Sequence, residues 1–122
     1  EKIKIIKNPI IQEHVGNEHT EYTCGVICLD GEFKASIALK RSLKEGNTYI
    51  SEHNINTEKV ILDYIADIAD KLKPYGSCNL QLRIDDNGIP KLFEINPRHS
   101  GTTYIRSLFG YNEIIYIINY IL

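Results

Sequence analysis

Glu94, Asn96, Gln81 and Arg98 are the residues of this chain whose types and spacing could do chemistry together. The runs Leu80-Gln81-Leu82-Arg83-Ile84 and Leu92-Phe93-Glu94-Ile95-Asn96 both alternate apolar and polar, as half-buried strands do. Asp86-Asn87-Gly88 lies between them, and Asn-Gly favours a two-residue hairpin turn because both central positions take positive φ. Counting outward from Asn87-Gly88 predicts that Ile84 faces Lys91, Leu82 faces Phe93, Gln81 faces Glu94 and Asn79 faces Asn96. One face would then carry Leu80, Leu82, Ile84, Phe93 and Ile95 as core. The other would carry Asn79, Gln81, Arg83, Glu94 and Asn96, with Arg98 just beyond.

One carboxylate among amide oxygens suits a divalent metal on phosphate. Magnesium takes oxygen ligands and keeps waters and substrate phosphates beside one or two carboxylates. Arg98 has the planar fork that grips phosphate or carboxylate with two hydrogen bonds. A polar hairpin face is also what a solvated face looks like, and alternation alone does not separate the two.

Asn79-Leu80-Gln81 and the run Phe93-Glu94-Ile95-Asn96-Pro97-Arg98-His99-Ser100-Gly101 resemble the metal-binding end of the ATP-grasp superfamily. The likeness is to the carbamoyl-phosphate synthase large-chain type and related carboxylate–amine ligases. It implies that Gln81, Glu94 and Asn96 hold magnesium on the ATP phosphates, and that Arg98 contacts phosphate or an acyl-phosphate intermediate. Ile10-Ile11-Gln12-Glu13-His14-Val15, followed by Glu21-Tyr22-Thr23, is similar to the family's adenine-binding hinge and the strand after it. That implies adenine contacts around Glu13 and Val15, and a ribose hydrogen bond from Glu21. A basic residue near the end of the next strand, Lys40 or Arg41, would approach phosphate or the acceptor carboxylate, although a solvated strand end fits them too. ATP and magnesium are the expected cofactors, and a carboxylate with an amine or ammonia the expected substrates.

The family's lid carries a glycine-rich loop, whereas the glycines here are scattered singly and no Gly-Lys-Ser/Thr phosphate loop occurs. The expectation is one partial ATP-grasp domain over residues 1–122, the carboxyl-terminal half of the ATP-binding unit. The substrate domain and glycine-rich lid would be absent, and residues 1–6 would be a lid remnant. Missing subdomains or a partner chain would complete the site. Ile3, Ile5, Ile6, Ile10 and Ile11 would be left unsupported, so self-association is expected. A fragment alone would be inactive, and a nucleotide-binding or interaction module without catalysis is the alternative.

Composition agrees with one small domain. The chain has 122 residues, a formal net charge of −2 and 25% charged residues, with no basic footprint for nucleic acid. No apolar run approaches the roughly 20 residues a bilayer requires, and the first residues lack a signal-peptide pattern. Cys24, Cys28 and Cys78 do not form a disulfide framework. On a strand, Cys24 and Cys28 would stand about 13 Å apart. Buried free thiols and a reducing, cytoplasmic location are expected. His14, His19, His53 and His99 lack metal-ligand spacing, and His99 is assigned a supporting role beside the metal run.

The elements that must position these groups follow from pattern. Strands are expected over 22–29 and 33–43, with a turn at Asp30-Gly31 and a loop over 46–54. Thr57 is the expected N-cap of a helix whose stripe is Ile61, Tyr64, Ile65, Ile68 and Leu72, stopped by Pro74 and Gly76. Asp63, Asp67 and Asp70 read as its solvated side. A short helix over 102–109 and a last helix capped by Asn112 complete an α+β fold: a mostly antiparallel sheet with a polar metal face and helices on its apolar face.

Overall fold

The computed structural model describes residues 7–122, apart from the side chains of residues 55–58. The expected lid remnant, with Ile3, Ile5 and Ile6, lies outside the described residues. Five antiparallel strands form one sheet in the order β3-β2-β1-β4-β5. They are β1 (Glu21–Leu29), β2 (Glu32–Lys44), β3 (Asn47–Glu52), β4 (Gly76–Ile84) and β5 (Pro90–Asn96). The helices are α1 (Ile55–Leu72), α2 (Thr103–Leu108) and α3 (Glu113–Ile121).

The expected α+β class holds, but both faces of the sheet are covered. Alternate residues of the central strands (Tyr22, Cys24, Val26, Ala38, Leu80 and Leu82) pack against Ile61, Ile65 and Ala69 of α1. These helix residues recur every four positions, which keeps them on one stripe. Leu72, placed in the stripe by periodicity, is half exposed. On the opposite face, Ile27, Leu29, Ile37 and Leu39 pack with Tyr111, Ile105 and Ile117 from the α2–α3 region. That second core explains why every residue of β1 is buried. The polar residues occupy only the remaining part of this face.

Three local expectations are corrected. Residues 47–52 form β3 rather than a loop, because an edge strand wet on both sides carries turn-forming residues without alternation. Helix α1 begins two residues before Thr57, whose side chain lies outside the described set. The β4–β5 connection is not a two-residue turn: Asp85 Oδ1 accepts the backbone N–H groups of Asn87 and Ile89, closing a loop over 85–89. Asn112 does cap α3, accepting from Ile115 N at 3.2 Å, and Gly110 ends the preceding segment at φ 89°. Cys24, Cys28 and Cys78 are buried free thiols, and burial raises the pKa of Cys28 and Cys78.

Candidate functional site

The longer loop changes half of the predicted hairpin register and leaves the other half intact. Asn79 pairs with Asn96 and Gln81 with Glu94, as counted from the sequence. A bulge then follows between Gln81 and Leu82, so Leu82 faces Leu92 and Ile84 faces Pro90. Phe93 is the extra residue. It leaves the core and lies over the Arg83 guanidinium, 5.7 Å from ring centre to Cζ. Leu92 takes the expected core place against the α1 cluster, while Ile95 is half exposed at the sheet edge.

Glu94 and Asn96 stand two residues apart on β5, on the same side of the strand, and Asn96 Nδ2 donates to Glu94 Oε1 at 2.6 Å. Cross-strand neighbours such as Gln81 and Glu94 have Cβ atoms about 5 Å apart. These three side chains therefore share one patch. No cluster of three or more His, Cys, Asp or Glu with metal-holding geometry exists among the described residues. Glu94 is the one carboxylate of the patch, with amides around it.

Beside this patch lies an arginine–carboxylate ladder that sequence reasoning missed. Glu21 is 3% exposed. Its Oε1 accepts from Arg41 Nε at 2.9 Å and Nη2 at 2.6 Å. Its Oε2 accepts from Arg83 Nε at 2.9 Å and lies 2.7 Å from Arg83 Nη2. Burial works to raise the Glu21 pKa, but the hydrogen bonds and charges of Arg41 and Arg83 outweigh it and hold the carboxyl below its ordinary value. Arg41 Nη2 also donates to Gln81 Oε1 at 2.9 Å, which joins the ladder to the patch of Gln81, Glu94 and Asn96. Lys40 belongs to neither. It pairs with Tyr22 and Glu52, and strand alternation puts it on the opposite face from Arg41.

Arg83 extends the ladder to His14 and Val15. Its Nη1 lies 3.3 Å from His14 Nε2 and 3.4 Å from the Val15 carbonyl oxygen. Glu13, His14, Val15, Arg83, Leu92 and Phe93 border a cavity of about 420 Å³. Glu13 and Val15 are therefore together at one cavity, with an aromatic ring that the register count had assigned to the core. A second, polar cleft of about 340 Å³ is bordered by Arg41, Asn47, Asn79, Gln81, Arg98 and Ser100 among others. Arg98 is exposed, with Nη1 donating to the His99 carbonyl at 3.0 Å.

Beneath the cleft is a buried polar cluster. Arg106, fully buried on α2, donates through Nη2 to Asn79 Oδ1 and to Thr23 Oγ1, the latter at 2.9 Å. Burial lowers the Arg106 pKa, and the charge of buried Glu113 opposes that. Glu113 Oε1 accepts from Thr103 Oγ1 and lies 3.4 Å from His99 Nδ1. Arg106 Nε and Nη1 and Glu113 Oε2 have no hydrogen-bond partner among the described residues. Gly25 makes room for the cluster: a Cβ there would stand 2.8 Å from Arg106 Nη1 and 2.9 Å from Tyr111 Cε1. A lone arginine in an amphipathic segment carries no sequence signal of burial, so this support was not legible.

Residues 8–122 match the family model described as ATP-grasp in the biosynthetic pathway with Ter operon. The chain belongs to the ATP-grasp family. Solved structures of other proteins share its fold at low identity. One is the ADP complex of an N5-carboxyaminoimidazole ribonucleotide synthetase, with TM-score 0.60, 18% identity, and 70% of this chain against 24% of that one. Another is an L-amino acid ligase from Bacillus licheniformis, with TM-score 0.54, 16% identity, and 71% against 23%. A third is the N5-carboxyaminoimidazole synthetase from Staphylococcus aureus complexed with ADP, with TM-score 0.59, 14% identity, and 75% against 26%. The chain thus spans about a quarter of the length of these proteins. No curated protein matches it by sequence. Among the described residues no helix is long and apolar enough to cross a membrane.

The donor set of this ATP-grasp chain fits magnesium. Glu94 is exposed, and its bond to Asn96 uses only the amide's donor side and one carboxylate oxygen. Asn96 Oδ1 and Glu94 Oε2 are hard oxygen donors of the type that ion takes. Gln81 Oε1 is already engaged by Arg41.

Proposed function

We propose that this chain supplies the nucleotide-phosphate end of an ATP-dependent ligase that joins a carboxylate to an amine through an acyl phosphate. The observation that carries the reading is the retained pairing of Gln81 with Glu94 and Asn79 with Asn96. Gln81 and Asn79, the partners of Glu94 and Asn96, border the polar cleft with Arg41 and Arg98, and this supports a phosphate-metal site beside it.

In this reading the backbone around Glu13 and Val15 meets the adenine edge, with Phe93 offering a ring face for stacking. Glu21, expected as the ribose acceptor, is buried with both oxygens on Arg41 and Arg83, and in this reading it acts through those two arginines. Glu94 and Asn96 hold magnesium, which when bound neutralises charge on the phosphate oxygens. Arg98 grips the phosphoryl group as it passes to the substrate carboxylate, and the amine then displaces phosphate. The protein's contribution is positioning and fixed charge.

Substrate choice, completing subdomains or a partner chain, and self-association belong to the same proposal. The narrower likeness to the carbamoyl-phosphate synthase large chain rests on residues 79–81 and 93–101. Exposed Ile10 and Ile11 offer apolar area to a neighbouring unit. Buried free thiols at Cys24, Cys28 and Cys78 suit a reducing, cytoplasmic setting.

Calorimetric titration of the purified protein with ADP, with and without magnesium, tests the reading. Magnesium should tighten binding, and Glu94→Gln should abolish that gain while sparing metal-free ADP. Equal affinity with and without the metal would favour a nucleotide-binding module without ligase chemistry. No binding under either condition would sink the nucleotide assignment.

A further inference from the structure

The geometry points to a one-cation site in which Arg41 supplies the second positive charge, and Gln81 orients Arg41 instead of coordinating metal. This rests on the nucleotide reading above and sharpens it. The patch has one carboxylate, Glu94, with the amides of Asn96 and Gln81 beside it. Directly across the strand pair from Glu94 stands the neutral amide of Gln81. Its oxygen is taken by Arg41 Nη2 at 2.9 Å. A divalent ion coordinated by that oxygen would sit at most about 5 Å from the guanidinium nitrogen. Two like charges at that separation disfavour one another strongly in a partly buried site.

Arg41 is itself poorly free to leave. Its side chain is 10% exposed, and Nε and Nη2 both donate to Glu21 Oε1. Arg83 holds the other oxygen of that carboxylate. The guanidinium is thus fixed from behind by Glu21 and from the side by Gln81, and it borders the polar cleft. A cation so held needs no reorganisation when phosphate arrives, which is the condition for strong electrostatic stabilisation. Arg41 also bonds carboxylate and amide at once, a task for a planar fork with several donors rather than a lysine.

The test counts metal ions. Native mass spectrometry of the purified protein with adenylyl imidodiphosphate and Mn²⁺ should show one Mn²⁺ per bound nucleotide analogue. Two ions per analogue would overturn the inference, whereas no bound analogue would overturn the nucleotide reading beneath it. Gln81→Leu removes the amide but leaves Arg41 on Glu21. It should change Mn²⁺ affinity in the analogue complex by less than about threefold, while Glu94→Gln weakens it about tenfold or more. A loss with Gln81→Leu equal to that with Glu94→Gln would make Gln81 a ligand and refute the assignment. Arg41→Gln should weaken binding of the analogue about tenfold or more; unchanged affinity would show that Arg41 supplies no charge there.

Discussion

Arg83 stands directly opposite Glu21 across the β1–β4 ladder, and its Nε and Nη2 lie 2.9 and 2.7 Å from the same carboxylate oxygen. Its remaining nitrogen reaches the hinge at His14 and Val15. One buried acid therefore anchors both sides of the candidate site, since Arg41 on its other oxygen reaches Gln81.

Replacing that acid should loosen both arginines. Glu21→Gln removes the charge while keeping the shape, and leaves two guanidinium groups without their counter-ion. The expected loss is about 2–3 kcal/mol, less than for a fully buried pair because Arg83 reaches partly into solvent. Urea unfolding at neutral pH measures it. An unchanged midpoint would show that the ladder is not a structural tie.

The same carboxylate makes stability depend on acid. Its folded-state pKa is held below the ordinary value, so its contribution is complete above the unfolded-chain pKa of about 4.3. That contribution fades as pH falls through the lower folded-state value, because protonation releases the arginines. Between about pH 5 and about pH 2 the wild type should lose more stability than Glu21→Gln. Parallel losses in the two proteins would contradict this.

Phe93 borders the cavity with Glu13 and Val15 instead of packing in either core cluster. Phe93→Ala should weaken ADP binding about tenfold or more, in line with base–aromatic stacking, while leaving tripolyphosphate binding intact. The thermal midpoint should fall only slightly, because Phe93 lies outside both core clusters. Equal weakening of both ligands would place the base elsewhere.

Gly16 is required by the hinge geometry. It has φ 58°, and a Cβ there would stand 2.4 Å from Thr20 Oγ1 and 2.6 Å from the Ile84 carbonyl oxygen. Gly16→Ala should shift the chain at His14 and Val15 and reduce ADP affinity, at a stability cost of about 1 kcal/mol or more. Titration and urea unfolding of one preparation separate the two effects.

Buried Arg106 and Glu113 should be coupled. Glu113→Gln removes the negative charge that favours the buried guanidinium, and should cost about 3 kcal/mol. Arg106→Met combined with Glu113→Gln should cost less than the two single changes added together, because neither charge is then left alone. Additivity within about 0.5 kcal/mol would mean that the two do not feel each other.

Much of this architecture was legible in the chain. Strands β1, β2, β4 and β5, helix α1 and the Asn112 cap follow from alternation, helical periodicity and capping chemistry. The Gln81–Glu94 and Asn79–Asn96 pairs were also legible, because the extra loop residues and the bulge cancel before reaching them. The near half of the hairpin was misread because Asn-Gly outweighed Asp85, whose side chain builds the longer loop. Strand β3 lacked the alternation that marks a half-buried strand. The ladder and Arg106 depend on partners at least 20 residues away, and local pattern holds no record of such pairing.

The bulge has an evolutionary corollary. A substitution can change what a side chain is, but not which surface of a pleated strand it occupies. A length change of one amino acid between Asp85 and Phe93 could do so, exchanging the ring above Arg83 for an aliphatic group and handing the ring to helix α1. A single-codon insertion or deletion would therefore swap the side chain facing the cavity of Glu13 and Val15 in one step.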